Sequence, residues 1–359
     1  MKKSLKLLLL LFITIIISTS CTDNNNNLNK SSVKNIILMI GDGMSIPQIN
    51  ALMLTSDSTT AFERFSVSGL AKTNSKSNKI TDSAAGGTAI ATGHKTNNGI
   101  IGMNADSLAV PSILEMMSDK GKKTGVIATS YVTHATPASF VAKNLNRNNY
   151  EEIAWDFANS DKIDLIIGGG RRHFTDREDS INLITEMTEN GWRYYEEIPQ
   201  THSADSKIIV LASDEHMNAY PQRGEFLSDA TELALNALSK NDKGFFLMIE
   251  GSQIDFACHN NDSTYLINEM TDFNNTINKV LDFAHNNPNT LVVVTADHET
   301  GGLTIIDPDE RYIRTDFHFS TGSHTPLMAP VFAYGPQEEN FSGIIDNTDI
   351  MKIILEITE

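Results

Sequence analysis

Cysteine is nearly missing from this chain of 359 residues, which holds only Cys21 and Cys258. If Cys21 is consumed by a modification, no internal disulfide can form, and cross-links in the fold would have to be metals. Basic residues are also in deficit: 28 Lys and Arg stand against 45 Asp and Glu, a formal charge of -17. That balance excludes a broad nucleic-acid groove. It also means that an anionic substrate must be drawn by a local cationic feature, such as bound metals or a well-placed arginine, because the global field opposes it. The apolar run Leu7–Ile17 is too short to span a bilayer comfortably, and no internal repeat is present.

What the N-terminus does contain reads as an export signal. Lys2, Lys3 and Lys6 precede the apolar run, and Ser18, Thr19 and Ser20 lead to Cys21 and a polar tract. Residues 1–20 are expected to be a signal peptide, and the small residues before Cys21 resemble a bacterial lipoprotein signal in which that cysteine is acylated. Ser18 stands where such signals usually carry leucine, and a plain signal peptide is the alternative. Residues 21–34 then form the anchor cysteine and a flexible, asparagine-rich tether. Either way an exported protein is expected; the lipoprotein reading makes it periplasmic or cell-surface, with a membrane as partner through lipidated Cys21.

Beyond the tether, short apolar runs recur at Asn35–Ile40, Thr124–Ala128, Asp164–Ile167, Phe245–Ile249, Leu291–Thr295 and Pro330–Tyr334. Helical stretches lie between most of them, the longest at Pro111–Lys120, Phe226–Leu238 and Ser263–His285. Continuously apolar strands alternating with helices predict an α/β fold with a mostly parallel sheet covered on both faces. Residues 35–359 are expected to be one domain, with Arg171–Gly224 a less regular insertion or connection.

Polar residues cluster where these runs end, and the carboxyl ends of strands are where open α/β sheets bind ligands. Asp42 lies between Gly41 and Gly43, Glu250 ends an apolar run, and Asp255 and His259 share one face of a helical turn. Asp297 and His298 end a third run, and His324 precedes a fourth. Singly, each has an ordinary reading as a turn residue or a solvated pair; together they predict a multi-metal site. Carboxylates mixed with imidazoles suit Zn²⁺, and an all-oxygen subset suits Mg²⁺. Ser83, followed by Ala84-Ala85-Gly86-Gly87, reads as a nucleophile beside a helix N-terminus, as a helix cap, or as both, Asp and Ser being the preferred caps. His134, Thr136 and Arg147 add an imidazole, a hydroxyl and a fork for two phosphate oxygens. Cys258 reads as a packed thiol.

These segments together resemble the alkaline phosphatase family from Asn35 to about Pro336. The resemblance is carried by IGDGM at Ile40–Met44, TDSAAGGTAIATG at Thr81–Gly93, THATPASF at Thr133–Phe140 and NRNNY at Asn146–Tyr150. It continues through IGGGRRHF at Ile167–Phe174, FFLMIEGSQIDFACHNND at Phe245–Asp262, VTADHETGG at Val294–Gly302, and GSHTPL at Gly322–Leu327 ahead of VFAYGP. It implies a large central sheet between helices and hydrolysis of phosphate monoesters through a phosphoserine at Ser83, with Arg147 as the clamp on the phosphoryl oxygens. It further implies one zinc held by Asp255, His259 and His324, and a second by Asp42, Asp297 and His298. Magnesium would be held by Asp42, Thr136 and Glu250.

His134 and Phe256 depart from the aspartate and lysine that some members carry near the phosphate, which leaves the third metal's identity open and makes His134 a substrate contact. Only 25 residues separate His298 from His324, so the crown insertion of many members is expected to be reduced, leaving monomer or homodimer open. Two alternatives stay in view: a relative acting on phosphodiesters, and a non-catalytic lipoprotein that scavenges phosphate or metal. The Cys/Ser-x-Pro-x-Arg pattern of sulfatases is absent around Ser83.

Overall fold

A computed structural model describes residues 32–200, 207–306 and 316–358. The leader and Cys21 lie outside the described residues. Ten strands form one sheet: β1 (Asn35–Gly41), β2 (Val67–Lys72), β3 (Lys123–Tyr131), β4 (Leu165–Gly169), β5 (Trp192–Tyr195), β6 (Lys207–Leu211), β7 (Phe245–Gly251), β8 (Thr290–Thr295), β13 (Ala329–Tyr334) and β14 (Gly343–Asp346). Four short strands between β8 and β13 stand apart: β9 (Glu299–Thr300) pairs with β12 (His324–Thr325), and β10 (Leu303–Ile306) with β11 (Asp316–Phe319). The sheet order is β14-β2-β13-β8-β1-β7-β3-β4-β6-β5, and only β13 runs against its neighbours.

All six apolar runs are strands, and their continuity has the expected cause. Each of the seven residues of β1 is buried, and alternate side chains feed two separate cores. Ile36, Leu38 and Ile40 face the helices Ser83–Thr92, Ile113–Asp119, Tyr150–Asn159 and Asn347–Ile357. Ile37 and Met39 face Phe226–Leu238 and Ser263–Asn286. The segment Arg171–Gly224 is more regular than its composition suggests. It supplies β5 and β6, which extend the sheet in parallel beyond β4, and its Arg223 is buried against Glu269 and Asp272 of the long helix. The tether also ends earlier than expected, because Val33 is buried and the backbone N–H groups of Lys34 and Asn35 both donate to Asn289 O.

Register sets the site. Ile40 of β1 lies beside Glu250 of β7 and Thr295 of β8, and Glu250 lies beside Ala128 of β3. The first residues past β1 and β8, together with the end of β7, therefore meet at one edge. No helix among the described residues is long and apolar enough to cross a membrane.

Candidate active site

Ser83 opens the helix Ser83–Thr92, all ten residues of which are buried. The N-cap is Asp82, whose Oδ1 accepts from Ala85 N–H at 3.0 Å, so capping leaves the Ser83 hydroxyl free. The choice left open by the sequence is thereby divided between two neighbouring residues. The small residues of this helix are needed for approach. A Cβ at Gly86 would stand 2.8 Å from Asp297 O, which would push the helix off the end of β8. Packed this closely, Ser83 Oγ comes within 3.2 Å of His298 Nε2.

Asp82 has a second partner. Its Oδ2 pairs with Arg147 Nη1 at 3.1 Å and accepts from Gly99 N–H at 3.0 Å, which aims the guanidinium along the helix N-terminus. Arg147 Nη2 lies 3.3 Å from His134 Nε2.

Three groups of ligand-type side chains converge beside Ser83: Asp255, His259 and His324; Asp42, Asp297 and His298; and Asp42, His134 and Glu250. Within each group the ligand atoms lie within 4.8 Å of one another. In the first, His259 Nδ1 bonds Gly322 O at 2.8 Å and His324 Nδ1 bonds Thr81 O at 2.9 Å. A carbonyl only accepts, so both Nδ1 atoms carry protons and, in the neutral rings, both Nε2 atoms present lone pairs. Those two nitrogens face each other at 3.2 Å, with Asp255 3.3 Å from His259 and 3.7 Å from His324. Two lone pairs and a carboxylate aimed at one point suit a cation.

The second and third groups pose the same electrostatic problem. Asp42, Glu250 and Asp297 are wholly buried, and among the described residues Asp42 Oδ1 and Glu250 Oε1 have no hydrogen-bond partner. Burial, then the charges of Asp297 and Asp255, raises the Asp42 pKa well above the carboxylate range. Burial likewise pushes Glu250 up to about 8, and burial with the Asp255 charge pushes Asp297 to about 7. Three packed carboxylates at neutral pH call for divalent cations to carry them as anions, so the residues present fit the metals the sequence implies. Thr136 Oγ1 joins them, 3.3 Å from Asp42 Oδ2 and 3.4 Å from Asp297 Oδ2. Asp255 differs: burial opposes its ionisation, yet the His259 hydrogen bond and the neighbouring histidine charges hold its pKa below the usual range.

Every residue singled out in the sequence thus reaches one site. His134 does more than expected, because it belongs geometrically to the third group as well as touching Arg147, and its buried Nδ1 has no partner among the described residues. Phe256 packs edge-on against its ring, 5.8 Å between centroids. Sequence reasoning missed Thr300, whose hydroxyl donates to Asp255 Oδ1 at 2.5 Å and lies 3.2 Å from His298 Nδ1, bridging two groups. It also missed buried Glu299. That carboxylate accepts from Gln48 Nε2 at 2.8 Å and from the Thr325 hydroxyl, fixing β12 beside β9 and so His324 against the His298 ring, 3.6 Å away. The only sequence signal for either was adjacency to Asp297 and His298.

Comparison with known proteins points to one family. The family model described as alkaline phosphatase matches residues 33–312. Alkaline phosphatase 3 of Bacillus subtilis is 33% identical, with 91% of this chain and 89% of that protein covered. The alkaline phosphatase of Escherichia coli is 28% identical over 90% of this chain and 85% of its own. Among solved structures, the alkaline phosphatase of the Antarctic bacterium TAB5 is 43% identical, covering 91% of this chain and 98% of that one with a TM-score of 0.87. A histidine-to-aspartate mutant of that enzyme is solved with Mg bound in its M3 site. The family model spans more than half of the chain and the fold coincides, so the chain belongs to the alkaline phosphatase family.

Proposed function

We propose that residues 35–359 act as one alkaline phosphatase domain that hydrolyses phosphate monoesters through a phosphoserine at Ser83, with two zinc ions and one magnesium ion. The observation that carries this reading is the uncapped Ser83 hydroxyl on a buried helix N-terminus, 3.2 Å from His298, beside an arginine held in place by Asp82. Asp255, His259 and His324 would hold one zinc, Asp42, Asp297 and His298 the other, and Asp42, Thr136 and Glu250 the magnesium. When bound, such ions lower the pKa of serine and water hydroxyls and offset charge on the attacking and departing oxygens.

The chain's own groups perform the rest. Ser83 Oγ attacks phosphorus, an Oγ–P bond forms as the bond to the ester oxygen breaks, and the alcohol leaves with a proton. Arg147 spans two of the three equatorial oxygens, and the N–H groups at the start of Ser83–Thr92 face the same charge. His134, kept neutral by burial and by the Arg147 charge with its pKa down to about 3, adds no competing cation beside that guanidinium. Water then attacks the phosphoserine from the opposite side, breaking the Oγ–P bond and releasing inorganic phosphate.

Export of the chain and anchoring through Cys21 belong to the same reading, supported by the basic, apolar and small-residue order of residues 1–21. Steady-state phosphate release from p-nitrophenyl phosphate at alkaline pH, with Zn²⁺ and Mg²⁺ supplied, tests the chemistry. Turnover should depend on the metals and drop by roughly 10³-fold or more in Ser83→Ala. Undiminished turnover in that variant would rule out the phosphoserine, and an inert metallated wild type would turn attention to phosphodiesters.

A further inference from the structure

At the sheet edge opposite the site, the starts of the parallel strands collect lysine. Lys34 precedes β1, Lys123 opens β3, Lys207 opens β6, and Lys240 and Lys243 lead into β7. Parallel pairing of these strands brings all five positions to the same end of the sheet, and Lys120 and Lys122 join them from the helix Ile113–Asp119. The crowding is direct. Lys122 Nζ donates to Lys34 O at 2.6 Å and to Lys243 O at 3.1 Å, and burial followed by the charges of Lys120 and Lys34 lowers its pKa from the ordinary lysine value.

Neutralisation is incomplete. Asp164 pairs with Lys123, while Asp119 and Asp161 both pair with Lys162. Among the described residues, Lys34, Lys120, Lys240 and Lys243 have no carboxylate within ion-pair distance. The ordinary explanation is that cations at helix C-termini complement the helix dipole. It covers Lys120, which caps its helix, and Lys240, just past Phe226–Leu238, but not Lys34, Lys123, Lys207 or Lys243 at strand starts. In a chain of net charge -17 this pole runs against the global balance.

A second observation gives the pole an orientation. The chain enters the folded body here, since Lys34 and Asn35 bond to Asn289 at the start of β1, so residues 1–31 connect to it at this edge. We infer that the lysine pole docks on anionic phospholipid headgroups, which turns the strand ends carrying Ser83 away from the membrane and toward diffusing substrate. This surface shares a membrane with the anchor proposed at Cys21 but none of its residues, and the two fail separately.

The test is co-sedimentation of the full chain with vesicles of phosphatidylcholine alone and of phosphatidylcholine mixed with an equal part of phosphatidylglycerol. Wild type is compared with the variant Lys34→Gln, Lys120→Gln, Lys240→Gln, Lys243→Gln. A lysine near an anionic surface is worth roughly a five-fold change in partitioning, attenuated beyond a Debye length of about 10 Å. Wild type should therefore prefer the anionic vesicles, lose that preference in high salt, and bind them at least about ten-fold more tightly than the variant, with phosphatidylcholine binding unchanged. Equal binding of wild type to both vesicle types overturns the inference. So does a variant that keeps the preference. Cys21→Ser reports the anchor alone: it should lose binding to phosphatidylcholine vesicles and keep the lysine-dependent binding to the anionic ones. If the quadruple variant loses p-nitrophenyl phosphate turnover, Lys240→Gln with Lys243→Gln gives the same reading with less perturbation.

Discussion

Arg147 owes its position to a residue whose function is hidden in the sequence. Asp82 reads as one polar neighbour of Ser83, yet it caps the helix with one oxygen and holds the guanidinium with the other. A planar fork held in this way can make two charge-assisted bonds to a phosphoryl group, each worth about 1.5–3 kcal/mol. Arg147→Ala should therefore lower kcat/KM for p-nitrophenyl phosphate by roughly 10²-fold or more. Arg147→Lys should recover only part of the loss, because an ammonium supplies charge without the fork. Full recovery by lysine would show that charge alone is needed. At this scale the ligand residues were legible because each stands beside a strand end, whereas Thr300 and Glu299 were not, since their partners lie on Gln253–His259, on Ile46–Thr55 and on β12.

Elements, not single residues, build the wall next to His134. The end of β3, the short helix Arg172–Thr175 after β4 and the turn after β6 meet in a ring cluster in which His216 stacks on Tyr131 at 3.6 Å and His173 meets Tyr131 edge-on at 4.7 Å. Burial depresses both imidazoles to about 4, aided at His173 by the Arg172 charge and opposed at His216 by Glu215. An unfolded chain takes up these protons below about 6.5, while the folded one does so only near 4. The unfolded state then binds more protons across that window, so stability should fall as pH drops from about 6.5 to about 4. Urea midpoints of the metallated protein measured across this range would show it, and the double variant His173→Gln, His216→Gln should have the flatter profile. An identical slope would place the acid sensitivity elsewhere, in the carboxylates. Arg171–Gly224 looked irregular because its elements are short: β5 and β6 have only four and five residues, and the helices Arg172–Thr175 and Leu183–Glu189 before them have four and seven.

Over the whole molecule, the cations that the site calls for are also part of the fold's stability. Three wholly buried carboxylates and two histidine nitrogens 3.2 Å apart are costly together without positive charge. Chelation should lower the Tm by at least about 5 °C, as expected for loss of ligands bound far above their Kd, and re-addition of Zn²⁺ and Mg²⁺ should restore it. An unchanged Tm would mean that the carboxylates are neutralised by protons instead.

The sequence by itself determined the alternation of buried strands and helices, the family and the ligand types, because continuous apolar runs, glycine-flanked carboxylates and small-residue stretches are local signals. Tertiary structure alone decided that β13 runs antiparallel and that Asp82 rather than Ser83 is the cap. It also decided that His134 stands with Asp42 and Glu250, and that lysines far apart in sequence share one pole. Those outcomes depend on register between strands distant in the chain, and no local pattern encodes which strand ends will meet.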